Sequence, residues 1–83
     1  MLFKVFCLYD SAADSFQTPF FQPSLGVVNR TLTDEVQSGD SQLSKHPSDF
    51  SLFELGSFSM MDGCFSLHDE PKRMYSLDEL IGS

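Results

Sequence analysis

Lys45-His46-Pro47-Ser48-Asp49-Phe50-Ser51-Leu52-Phe53-Glu54-Leu55-Gly56-Ser57-Phe58 is the stretch whose reading decides the fold. A polar turn punctuated by proline runs into an aromatic-rich apolar segment, and a glycine and one more aromatic follow. That order reads as a turn feeding a buried β-strand, with Gly56 at a bulge or a close backbone approach. Phe50, Leu52, Phe53 and Leu55 are the expected core residues of the strand.

Downstream, Cys64 to His68 reads as a second strand, joined to the first through Ser59-Met60-Met61-Asp62-Gly63. Asp62-Gly63 suits a turn that needs positive φ, so the pair is expected to be an antiparallel hairpin. Asp69 to Arg73 is expected to be an exposed connection. From Tyr75 to Ile81 the chain could form one helical turn, with Ser76 as N-cap and Glu79 three residues on, or a fraying tail.

Upstream, Ser38 to Asp49 is polar and turn-rich, with room for a short helical turn. Before it, Leu25, Val28, Leu32 and Val36 recur at spacings of three, four and four, which predicts a helix from Ser24 to Ser38. Gly39 is its stop signal. Gly26, Val27 and Thr31 lower its intrinsic propensity, so the helix needs a sheet to lie on. Phe16 to Phe21 is extended, and Pro19, lacking a donor, makes it an edge strand or an extended loop. Leu2 to Tyr9 is apolar on both faces except at Lys4, which predicts a central strand or one covered on both sides. The expected architecture is a small α+β domain in ββαββ order, with one helix on a mostly antiparallel sheet of about four strands. It is expected to occupy residues 1–72, leaving 73–83 as a tail or a short docking helix.

Composition narrows the function. The chain has 83 residues, among them nine Phe and two Tyr, and twelve acidic against five basic side chains give a net charge of −7. That balance opposes phosphate binding, which draws most of its affinity from Lys and Arg, and it equally opposes an anionic membrane surface. It favours a basic protein partner or no charged partner. No run of about 18 apolar residues suggests a membrane span. The apolar start is interrupted by Lys4, ends at Asp10 and lacks a basic flank, so it does not read as a signal peptide, and the cytoplasm of the cell that makes it is the expected location.

Cys7 and Cys64 are expected to be free, buried thiols, a disulfide being the minor alternative. With His46 and His68 they are the soft metal ligands, but none of the four stands at the local spacing that pre-organises a site, so no metal and no cofactor is expected. The serines are scattered through turns without nucleophile-elbow glycines. The pairs Asp34-Glu35, Asp69-Glu70 and Asp78-Glu79 are sequence neighbours whose side chains diverge in regular structure. No enzyme is expected. Aromatic stacking offers a route to single-stranded DNA that depends less on charge, and its candidate residues are Phe20, Phe21, Lys45, Lys72, Arg73 and Tyr75.

Four pieces of the chain together resemble a known family. They are Val5 to Ser11 with Tyr9-Asp10-Ser11, Pro19-Phe20-Phe21, the His46 to Phe58 block, and Asp62-Gly63-Cys64-Phe65 followed by Glu70-Pro71-Lys72. The chain is similar, from about Phe3 to Lys72, to the small nonstructural protein of gokushovirus-type microviruses, phages with circular single-stranded DNA. The helix here is richer in β-branched residues and Thr than that family leads one to expect, and nothing beyond Lys72 matches its pattern. The resemblance implies an accessory role in viral DNA replication, at the change from duplex to single-strand synthesis and packaging, and it brings no catalytic residues. With the acidic charge, it implies an adaptor touching the replication initiator, a host replication protein such as a helicase, or the assembling procapsid. Weak single-strand binding through the aromatic residues is the second reading. The third is an acidic decoy of a host DNA-binding protein, with Asp34, Glu35, Asp40, Asp69, Glu70, Asp78 and Glu79 supplying the charge.

Overall fold

Strands β1 (Leu2–Asp10) and β4 (Phe50–Ser59) pair antiparallel along their whole lengths and form the spine of the sheet. The computed structural model describes residues 2–81; Met1, Gly82 and Ser83, the last two within the predicted tail, lie outside the described residues. β5 (Phe65–Ser76) pairs with β4. Two short strands, β2 (Ser15–Phe16) and β3 (Phe20–Gln22), share the other edge of β1. Pro19 falls between them, where a residue without an N–H cannot continue the ladder. The order is β2-β1-β4-β5 with β3 also on β1, all antiparallel. The result is a small α+β fold with one main helix, as the sequence predicts.

That helix, α1 (Leu25–Ser38), begins where the Ser24 hydroxyl accepts a hydrogen bond from the Val27 backbone N–H at 3.3 Å, and it ends at Gly39 with φ +81°. Both ends follow from local chemistry: a short oxygen-bearing cap, then a left-handed position that costs glycine little. One turn of helix, α2 (Gln42–Lys45), and a 3-10 turn (Pro47–Asp49) lead into β4. Val28, Leu32 and Val36 press on Phe6 and Leu8 of β1 and on Phe50 and Leu52 of β4. Leu77 completes this core at zero exposure, so the closing 3-10 turn (Leu77–Leu80) docks on it. The Glu79 carboxylate accepts from the Ser76 backbone N–H at 3.1 Å, which fixes the start of that turn.

Three expectations need correction. Phe53 and Leu55 are only half-buried, and the strand's core residues are Phe50 and Leu52. Phe53 pairs with Cys7 on the face away from α1, and Leu55 is the extra residue of a bulge. β5 extends well past His68, so residues 73–76, grouped above with the tail, are paired strand. Cys64 is exposed in the hairpin turn and only Cys7 is buried; both are free.

The bulge sets the character of the sheet. Before it Phe6 pairs with Glu54, and after it Val5 pairs with Gly56, so Leu55 has no partner on β1. An inserted residue reverses the alternation of everything beyond it. Phe58, five residues from Phe53, therefore lies on the same face as Phe53 and not opposite. Gly56 has φ +151°, and a Cβ there would lie 2.2 Å from the Ser66 carbonyl oxygen and 2.7 Å from Leu67 Cα. Only a residue without a side chain allows β5 to approach so closely.

Leu52→Ala is expected to cost about 2–5 kcal/mol, the usual range for a buried leucine, and Leu55→Ala distinctly less. Gly56→Ala is expected to destabilise by at least ~2 kcal/mol through backbone displacement and strain. Urea unfolding of the three variants checks this ranking; equal losses for Leu52→Ala and Leu55→Ala would contradict the assigned core.

Candidate functional site

One face of the sheet carries α1. Along β1 the other face presents Phe3, Val5, Cys7 and Tyr9, and the paired positions on its neighbours include Phe16, Phe21, Phe53, Phe58, Phe65, Leu67 and Arg73. The rings form two clusters. Tyr9, Phe16 and Phe53 meet at one end, with centroids 5.0–6.2 Å apart. Phe21, Phe58 and Phe65 meet at the other, at 5.0–6.1 Å. Tilted and edge-on contacts at these distances suit the ring quadrupole. Val5 and Cys7, between the clusters on β1, are buried. The rings only partly cover one another: Phe21 remains 43% exposed and Phe65 53%. Phe3, Phe21, Phe58, Met60 and Phe65 line an open, wholly apolar pocket of about 470 Å³. No carboxylate falls among the paired strand positions on this face.

The six residues proposed from sequence do not form one site. Phe20 turns inward, stacks on Phe6 at 6.0 Å and packs against the α1 core. Phe21, next in sequence, points to the opposite face and joins the aromatic pocket. Lys45 ends α2. Lys72 pairs with Glu54 in register on the helix side, whereas Arg73 pairs with Phe53 on the aromatic face. Tyr75 is half-buried, its hydroxyl donating to Asn29 Oδ1 on α1; burial, then the charge of Glu79, pushes its pKa up. The seven acidic residues considered as a decoy surface come from three separate regions: the end of α1 and its following turn, the outer part of β5, and the last 3-10 turn.

Phe3, Phe58, Met60 and Phe65 were not identified from sequence as a site. Their assembly depends on the bulge, which alternation does not reveal. Glu54 was also missed, although it is the one charged residue between Phe50 and Phe58. It is 8% exposed and bridges Lys4 Nζ at 3.3 Å and His68 Nε2 at 2.8 Å. Since an ionised carboxylate only accepts, His68 donates through Nε2–H. The bridge ties β5 to β1 across β4, at the point where residues 68–71 leave the regular ladder.

Among the described residues, no group of three or more His, Cys, Asp or Glu side chains is placed to hold a metal ion. Burial pushes the Cys7 thiol above its ordinary pKa, away from the reactive thiolate. No helix of the described residues is long and apolar enough to cross a membrane.

Burial alone would raise the Glu54 pKa, but the hydrogen bonds and charges of His68 and Lys4 outweigh it and hold the group below its ordinary 4.5. A carboxyl with a depressed folded pKa contributes stability above its unfolded pKa and loses it as pH falls through the folded value. The wild-type chain should therefore lose part of its stability as pH falls below about 4.5. Glu54→Gln should be less stable at neutral pH and show a shallower decline over that acid window. Thermal melts from neutral to acid pH check this; parallel profiles would contradict it.

No curated protein and no solved structure matches the chain. Residues 3–80 match the family described as Phage ORF5 protein, a span that reaches every strand and helix and continues past Lys72, where the resemblance read from the sequence stops. That match covers nearly the whole domain, and the chain belongs to the phage ORF5 protein family.

Proposed function

We propose that this protein is a non-enzymatic accessory protein of a microvirus-type phage, acting through protein contacts in the host cytoplasm. It works in viral DNA replication, or at the switch to single-strand synthesis and packaging. The observation that carries the reading is the helix-free aromatic face: large rings stand exposed on one side of a chain whose net charge is −7. Contiguous apolar surface of this kind typically serves association. The partners that suit the reading are the viral replication initiator, a host replication protein or the assembling procapsid. Membership of a phage family supports the viral setting.

A second reading has one observation in its favour. Rings displayed on an antiparallel sheet are a platform on which bases can stack. Of the five basic residues, however, only Arg73 lies among the paired positions of that face. Lys4 is engaged with Glu54, and Arg30 lies on α1. Phosphate neutralisation would therefore be slight, and any binding weak with a shallow salt dependence.

Two measurements test these readings. The tagged chain should capture a replication or capsid protein from infected cells, and Phe65→Asp should lose it; identical capture by both would remove the aromatic face from the mechanism. Fluorescence anisotropy with a labelled single strand of about 20 nucleotides should show little binding at physiological salt. Sub-micromolar affinity with a steep salt slope would promote the DNA reading over the adaptor.

A further inference from the structure

Beside the phenylalanine pocket stands a side chain of the right kind to fill one. Met61, at the tip of the β4–β5 hairpin, is 87% exposed and directly follows Met60, which lines the pocket. Methionine is flexible and polarizable, and its sulfur packs favourably against aromatic rings. Knob and pocket therefore belong to the same end of the sheet. A two-fold axis uses such an arrangement fully, because each copy offers what the other receives.

We propose that the aromatic face is the interface of a homodimer, in which Met61 of each copy enters the pocket formed by Phe3, Phe21, Phe58, Met60 and Phe65 of the other. The proposal rests on the reading of that face as a protein-binding surface and names its occupant as a second copy of this chain.

Two further observations bear on that occupant. The first is charge, which limits where a second copy can dock: two copies, each carrying −7, repel wherever their acidic surfaces meet. The aromatic face carries no carboxylate among its paired positions, and Asp14, which accepts from the Tyr9 hydroxyl, stands at the end away from the pocket, so the pocket end is where like-charged copies can approach. The carboxylate nearest the knob in sequence, Asp62, is engaged in its own turn, its Oδ1 accepting from the Cys64 backbone N–H at 3.1 Å. The second is area. The exposed parts of Phe16, Phe21, Phe65, Leu67, Met60 and Met61 amount to on the order of 600 Å² of apolar surface per copy. With a polar rim, that approaches the ~800 Å² per partner of a stable interface. Edge-to-edge pairing of the sheets is the less suitable geometry. β5, an edge strand, carries His68-Asp69-Glu70-Pro71 where its register breaks, and charge and proline blunt an edge.

Sedimentation equilibrium of the full chain between about 1 and 200 µM tests the proposal. The expected mass is twice the 9.3 kDa of the chain, falling towards one chain on dilution. Met61→Asp and Phe65→Asp each place a charge in the interface and should weaken association by at least about tenfold. Both sites are exposed in the single chain, so circular dichroism should show the fold retained, and Glu35→Gln on α1 should leave the mass unchanged. A monomer throughout the range, or a dimer unaffected by both substitutions, overturns the proposal. A monomer whose capture of a viral or host protein is lost in Phe65→Asp overturns the dimer alone and leaves the protein-binding reading intact.

Discussion

The approach of β5 to Gly56 is the constraint on which the rest of this structure depends. Where a side chain would stand, the Ser66 carbonyl lies 2.2 Å away, so β4 can pass only as bare backbone. The bulge at Leu55 and the positive φ of Gly56 are two aspects of one local solution. Its consequence is long-range. Beyond the bulge the side-chain alternation reverses, Phe58 moves to the face of Phe53, and Phe65 follows through its pairing. One added residue thus gives the sheet a helix-covered core on one side and a layer of rings on the other.

The two faces are stabilised differently. On the helix side, α1 and the last 3-10 turn close over Phe6, Leu8, Phe50 and Leu52, and burial is nearly complete. Beyond the helix, where that side opens to solvent, Glu54 holds Lys4 and His68 and joins three strands through charge-assisted hydrogen bonds. On the far side, rings cover rings, shielding Val5 and Cys7 but leaving their own edges in water. For a chain of 83 residues, whose buried fraction is small, leaving so much apolar surface exposed forgoes much available stabilisation. Association recovers it. That physics, together with the scarcity of cations on the same face, is what favours the proposed protein partner over nucleic acid.

Local chemistry was legible in the sequence. The stripe Leu25, Val28, Leu32 and Val36 placed α1, Ser24 and Gly39 marked its ends, and Pro19 marked the break at the sheet edge. Each depends on residues within a few positions of one another, where spacing and backbone preference suffice. The glycine of the decisive stretch was also readable, because a lone glycine inside an apolar strand suggests a bulge or a close approach.

What only the tertiary structure decided is the side on which each later residue falls. Strict alternation sets Phe53 and Phe58 on opposite faces; the bulge, set by contact with residues 66 and 67, puts them on one, and it leaves Leu55, expected in the core, half-buried and without a partner on β1. Phe20 and Phe21, as neighbours on a strand, must point apart, but which of them reaches the α1 core depended on their register with Phe6 and Val5. Glu54 shows the same division: the sequence places a carboxylate in an apolar strand, and only the fold brings Lys4 and His68, fifty and fourteen residues away, to its two oxygens. Sequence determined the elements and their ends because those are local equilibria. The aromatic face is a product of strand register, and register is fixed by contacts between residues far apart in the chain.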